Sequence, residues 1–190
     1  MSVPESLSPL VEPLAAVQRV LSGFKDRGVI IGGVAVSLLG KPRLTADIDA
    51  VVLLSVKDIP QLLEVAQQEG LMPRVSDAVD FARRQRVLLL RHQVSGIDVD
   101  ISLGILPFEE EAIRRSTLHR VGTLEVRLPT VEDLIILKAI AHRPKDLLDI
   151  QVLVETNPEL DRLRIRRRVT EFAEALEMPE IWADISAWIE

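Results

Sequence analysis

With 190 residues, two Trp, four Phe, no Tyr and 47% apolar side chains, the chain suits one domain, its core mainly Leu, Ile, Val and Ala. The absence of cysteine excludes disulfides, thiolate metal sites and a cysteine nucleophile, and suits a reducing cytoplasm. A net charge of −6 and a pI near 5.2 argue against a surface coated with nucleic-acid contacts; the longest apolar stretches are shorter than the ~20 residues that span a bilayer, so a soluble, unexported protein without a membrane partner is expected.

In chain order, Leu10, Leu14, Val17, Leu21 and Phe24 recur at spacings of four and three and predict an amphipathic helix ending near Gly28. Val29-Ile30-Ile31, bounded by Gly28 and by Gly32-Gly33, predicts a buried strand running into a glycine turn, and residues 34–39 a short helix stopped by Gly40 and Pro42. Residues 47–54 read as a second strand and 56–69 as a helix with Ile59, Leu62, Leu63 and Ala66 on one face. Residues 86–92 and 96–103 read as a hairpin turning around Val94 to Gly96. A helix over 107–115, a strand over 124–128 and a helix over 130–141 follow, the last with Thr130 and Asp133 placed for a capping box. From Pro144 onward the pattern is helical, with Pro144 at a first helical position. This is an α/β (α+β) chain: a core over 1–128 that includes the N-terminal helix, and a helical C-terminal part over 129–190 packed on it. Two arginine runs, Arg83, Arg84, Arg86 and Arg91, then Arg162, Arg164, Arg166, Arg167 and Arg168, read as solvated faces of elements rather than phosphate tracks.

On a strand, Asp47 and Asp49 project from one face while Ile48 points the other way. Two neighbouring anions repel unless a cation lies between them, and Mg²⁺ or Mn²⁺ suits one or two carboxylates plus substrate phosphates. A lone Asp-x-Asp is more often a solvated strand edge. The diglycine Gly32-Gly33 strengthens the metal reading, because it sits between a buried strand and a helix start, where free amides hold phosphate oxygens. Arg43 and Thr45 add a guanidinium and a hydroxyl, although surface and turn roles are the commoner ones for such residues. A third acid, needed for two-metal phosphoryl chemistry, is offered by Asp98 or Asp100, again on one strand face.

Gly32-Gly33 followed by Arg43-Leu-Thr45-Ala-Asp47-Ile-Asp49 resembles the diglycine variant of the DNA polymerase β-like nucleotidyltransferase superfamily, in its AbiEii-like and minimal nucleotidyltransferase branch. Val99-Asp100-Ile101, Pro107-Phe108-Glu109, Pro129-Thr130-Val131-Glu132-Asp133-Leu134-Ile135 with Lys138, and Arg143-Pro144-Lys145-Asp146-Leu147-Leu148-Asp149 continue the family-like order. The resemblance covers residues 29–154. It implies a small mixed β-sheet core flanked by helices, with Asp47, Asp49 and Asp100 as catalytic metal ligands. By the same resemblance Gly32, Gly33, Arg43 and Thr45 bind the nucleotide, and Lys138 lies near the phosphates or snorkels at a helix edge. Asp146 and Asp149 cap or salt-bridge the next helix. Where the commoner version of the superfamily has Gly-Ser, this chain has Gly32-Gly33. The reaction so implied is Mg²⁺-dependent transfer of a nucleoside monophosphate from a nucleoside triphosphate to a hydroxyl of RNA, protein or a small molecule. A toxin paired with an antitoxin partner is one setting for it. The alternatives are a catalytically silent nucleotide- or partner-binding protein of the same fold, and a nucleic-acid binder that uses the Arg162 to Arg168 run.

Overall fold

A computed structural model describes residues 4–25 and 27–190. Contacts divide the chain into two units, Met1–Ala35 with Pro42–Pro129, and Val36–Lys41 with Thr130–Glu190. The first unit carries the sheets. A 3-10 turn, Glu5–Leu10, leads into α1 (Val11–Gly23), which buries Leu14, Val17 and Leu21 as their spacing predicts, together with Ala16 and Val20. The strands β1 (Gly28–Ile31), β2 (Asp47–Val52), β3 (Leu71–Pro73), β4 (Val87–His92) and β5 (Asp98–Leu103) form one sheet in the order β1-β2-β5-β4-β3. Only β2 and β5 run parallel; every other neighbouring pair is antiparallel, so the sheet is mixed.

A parallel pair needs a long crossover. Here α3 (Ile59–Gln68), β3, α4 (Ala78–Gln85) and β4 lie between β2 and β5 in sequence. Alternation then sorts the two faces. Ile48, Ala50 and Val52 of β2, Leu88 and Leu90 of β4, and Val99, Ile101 and Leu103 of β5 are buried. Burying each of the larger ones contributes about 1.5–3 kcal/mol. The residues between them, Asp47, Asp49, Asp98 and Asp100 among them, necessarily face the other way. The chain closes this unit with α5 (Pro107–Arg115) and a separate hairpin of β6 (Thr117–Val121) and β7 (Leu124–Leu128).

Besides the 3-10 turn, three elements lie outside the sequence expectations. β3 is three residues long and contains Pro73, tolerated because β3 is the sheet edge. Among the residues of α4, Ala78 and Ala82 are the buried ones, small side chains that give little apolar periodicity. Only Val121 of β6 is buried, so that strand is held by its ladder to β7 and not by an apolar face. The helix expected from residue 56 starts at Ile59. Asp58 Oδ2 accepts hydrogen bonds from the Ser55 amide at 3.0 Å and the Ser55 hydroxyl at 2.8 Å, which folds the preceding residues into a turn.

The boundary between units falls inside α2 (Gly32–Leu39). The second unit comprises the end of that helix with α6 (Val131–Ala141), α7 (Pro144–Thr156), α8 (Arg162–Ala175) and α9 (Glu180–Ile189). Thr130 caps α6, its hydroxyl accepting from the Asp133 amide at 3.2 Å. The carboxylate of Asp133 is fully buried and takes two hydrogen bonds from Arg164, at 2.6 and 3.0 Å. The arginine run on α8 is similarly spent within the unit. Arg162 donates to the Trp188 and Ile189 carbonyls, Arg166 lies over Trp182 and near Glu190, and Arg167 and Arg168 pair with Glu171. Among the described residues, no helix is long and apolar enough to cross a membrane.

Candidate active site

Register brings the acidic motifs together. Because β2 and β5 are adjacent and parallel, Asp47 stands opposite Asp98 and Asp49 opposite Asp100. Adjacent strands are about 4.8 Å apart, and paired residues share a face. Two segments some fifty residues apart in sequence therefore place four carboxyl groups on one patch of sheet, on the face away from the buried Ile48, Val99 and Ile101.

The diglycine is explained by this patch. Gly32 follows β1, whose Ile31 pairs with Asp49, and has φ +64. A Cβ at Gly32 would lie 1.9 Å from Asp49 Oδ2 and 2.8 Å from Asp49 Cβ, and no rotamer of Asp49 moves the latter atom. A Cβ at Gly33 would lie 2.4 Å from the Thr45 hydroxyl, 2.9 Å from Thr45 Cβ and 3.3 Å from Arg43 Nη2. The Thr45 hydroxyl in turn donates to Asp47 Oδ1 at 3.0 Å. The two glycines thus serve the two aspartates, Gly32 directly and Gly33 through Thr45, and Arg43 stands at the same place. All seven of these residues, Gly32, Gly33, Arg43, Thr45, Asp47, Asp49 and Asp100, belong to the first unit.

Asp98 and Asp100, equivalent in the sequence pattern, differ in partners. Asp98 accepts from Arg91 Nε at 2.7 Å and from Arg74 Nη1 at 2.9 Å. The hydrogen bond from Arg91, ahead of the attraction of Arg74, holds its carboxyl below the usual range. Asp100, among the described residues, meets the guanidinium of Arg74. Burial pushes its carboxyl up, Arg74 opposes this, and the nearby Asp47 and Asp98 carboxylates add to the rise. Arg74 escapes sequence reasoning. Its signal is one basic residue after a three-residue edge strand, and only the register of β3 on β4, where Met72 faces Arg91, sets it beside the acids.

Among the described residues, no group of three or more His, Cys, Asp or Glu side chains stands ready to hold a metal ion, and Arg74 lies against the third carboxylate. The donor set itself suits a hard divalent ion, since Asp47 and Asp49 offer oxygen ligands on one face and substrate phosphates commonly complete such a shell.

Lys138 belongs to the second unit and does not snorkel. It is 5% exposed, with Nζ 2.8 Å from Asp146 Oδ1 and 2.8 Å from Asp149 Oδ2. Burial pushes the Asp146 carboxyl up, but hydrogen bonds from Arg143 and Lys138 outweigh it, and the net displacement is downward. Removing one member of such a cluster strands the others in the interior, at a cost of about 3–5 kcal/mol. Lys138→Met is therefore expected to lower the thermal unfolding midpoint by roughly 10 °C, read by circular dichroism; an unchanged midpoint would refute a stabilising role for the cluster. Glu109, from the Pro107-Phe108-Glu109 segment, caps α5, its Oε2 accepting from the Ile105 and Leu106 amides at 2.8 Å each.

No curated protein matches this chain. Among solved structures, the antibiotic-resistance factor ANT(2'')-Ia is similar at TM-score 0.57 and 15% identity, covering 90% of this chain and 96% of that one. An antigenic nucleotidyltransferase-like protein from Paracoccidioides brasiliensis is similar at TM-score 0.54 and 16% identity, with coverage of 96% and 93%. JHP933 from Helicobacter pylori is similar at TM-score 0.52 and 17% identity, with coverage of 97% and 81%. At such identities these likenesses establish the fold. The profile of the family described as "Nucleotidyl transferase AbiEii toxin, Type IV TA system" matches residues 15–181, which include both acidic strands and the diglycine. The chain thus belongs to the AbiEii nucleotidyl transferase family, and is a nucleotidyltransferase.

Proposed function

We propose that the protein moves a nucleoside monophosphate group from a nucleoside triphosphate to an acceptor hydroxyl, with Asp47, Asp49 and Asp100 as its working carboxylates. The observation that carries this reading is the β2–β5 register, which sets Asp49 directly opposite Asp100 beside the diglycine. Asp47 and Asp49 would hold Mg²⁺ or Mn²⁺, with Asp100 as the third ligand. Such an ion would supply charge compensation and polarise the α-phosphate oxygen.

The chain's own groups divide the remaining work. Backbone amides at Gly32 and Gly33, the Thr45 hydroxyl and the Arg43 guanidinium orient the triphosphate. Asp100 takes the proton of the attacking hydroxyl as its oxygen bonds to the α-phosphorus; the bond from that phosphorus to the bridging oxygen breaks, and pyrophosphate leaves. Positioning and charge stabilisation provide most of the acceleration. Lys138 acts within its ion cluster, supporting the second unit. A toxin role with an antitoxin partner is supported by the description of the family, and the cysteine-free composition suits a cytoplasmic setting.

The test is incubation with each α-labelled nucleoside triphosphate, Mg²⁺ and a cell extract. Label is expected to move to an RNA, protein or small-molecule fraction, and removal of the divalent ion with a chelator is expected to stop it. No transfer to any fraction, together with no Mg²⁺-dependent nucleotide binding, would favour a silent nucleotide- or partner-binding module.

A further inference from the structure

Arg74 lies outside the sequence motifs and outside the proposed transfer step, yet its guanidinium joins two carboxylates of the site. Nη1 donates to Asp98 Oδ2 at 2.9 Å and Nη2 donates to Asp100 Oδ1. Its side chain is 24% exposed and those of Asp98 and Asp100 are 31% and 37% exposed, so solvent screens these contacts in part. The backbone is pinned as well, the Arg74 amide donating to the Leu89 carbonyl at 3.0 Å. Asp98 cannot turn freely either, because Arg91, its partner across the β4–β5 ladder, donates to its other oxygen at 2.7 Å. Arg91, Asp98, Arg74 and Asp100 thus form a relay that ends on the third carboxylate. A carboxylate can carry a guanidinium on one oxygen and a divalent ion on the other, but the two cations then stand within ~4–6 Å of each other and repel, so each weakens the other's hold.

We propose that Arg74 is a built-in counter-cation for Asp100, steered by Asp98, and that a divalent cation completing its site on Asp47, Asp49 and Asp100 competes with it for that carboxylate. This rests on the metal reading of those aspartates. Arg74 is a positioning residue here. It keeps the acidic patch compensated before the cation arrives, and it couples cation binding to a loosening of one arm of the guanidinium while Asp98 retains the other.

The test is Mn²⁺ binding to the nucleotide-free protein, followed by electron paramagnetic resonance. Losing a charge-assisted contact to Asp100 is expected to make Arg74→Gln bind Mn²⁺ about tenfold more tightly than the unsubstituted protein. Arg74→Lys is expected to fall between them, because a single ammonium lacks the two-armed fork that spans both carboxylates. Arg83→Gln removes the same charge from the exposed pair with Asp80 and is expected to leave the affinity unchanged. Wild-type or weaker Mn²⁺ affinity in a folded Arg74→Gln overturns the proposal; if that variant does not fold, an unchanged affinity in Arg74→Lys overturns it instead. Should Asp49→Ala bind Mn²⁺ as the unsubstituted protein does, the metal reading itself fails and takes the proposal with it. Binding that is lost in Asp49→Ala but unaltered in both Arg74 variants overturns the counter-cation role alone.

Discussion

Asp49→Ala is expected to lower nucleotidyl transfer by about a thousandfold or more while leaving the protein folded. Asp49 lies on the polar face of β2, half-buried, with Ile48 and Ala50 filling the core from the opposite side. Truncating it removes no core packing, and it relieves repulsion within a face that also carries Asp47, Asp98 and Asp100. The variant is therefore expected to stay folded. Activity is a different matter, because a carboxylate that holds a catalytic ion supports several kcal/mol of charge stabilisation, and each 1.36 kcal/mol is about tenfold in rate. Label transfer from α-labelled nucleoside triphosphate, measured beside a thermal melt, separates the two effects. Transfer within about tenfold of the unsubstituted protein, in a folded variant, would remove Asp49 from the site.

Gly32→Ala is expected to lower transfer by about a hundredfold, and to cost stability as well. At φ +64 an alanine pays about 1–2 kcal/mol for its left-handed backbone. The added methyl would then overlap Asp49, 1.9 Å from Oδ2 and 2.8 Å from Cβ. Rotating the carboxylate relieves the first overlap only, so β1 and β2 must shift apart or Asp49 must leave its place. A displacement of about 1 Å at a reacting group is worth about a hundredfold. Gly70→Ala supplies the comparison, since Gly70 has φ +76 but open space where a Cβ would go. It is expected to lose stability by a similar backbone amount and to retain its transfer activity. Equal activity in the two variants would show that Gly32 is needed only for its backbone conformation, not for the approach of Asp49.

Most of the secondary structure was legible along the chain because the apolar periods are strong. The α1 stripe from Leu14 to Leu21, the buried alternation of β2, β4 and β5 and the helices after Pro144 lie where their patterns predict, although α1 ends at Gly23 and not near Gly28. β3, α4 and β6 were not legible. A three-residue strand with a proline, a helix that buries alanines and a strand with one buried side chain carry little signal of their own, and each is stabilised by a neighbour distant in sequence or by a ladder.

Sequence by itself determined the family, the alternation that sets the four aspartates on the polar face, and the diglycine beside them. The residues taken alone leave Asp98 and Asp100 both open, because the two share one strand and one face, and it is the resemblance that names Asp100. Tertiary structure decided three things. The parallel β2–β5 register opposes Asp49 to Asp100. The approach of Gly32 to Asp49 and of Gly33 to Thr45 gives the diglycine its steric reason. The edge strand β3 delivers Arg74, which with Arg91 holds Asp98 in an ion pair and which also meets Asp100. Lys138 is buried between Asp146 and Asp149, which excludes the alternative of a snorkelling lysine at a helix edge. At the acidic patch the deciding term is a contact between strands and turns that sequence separates, where register selects the partner; for Lys138 it is charge compensation between two consecutive helices.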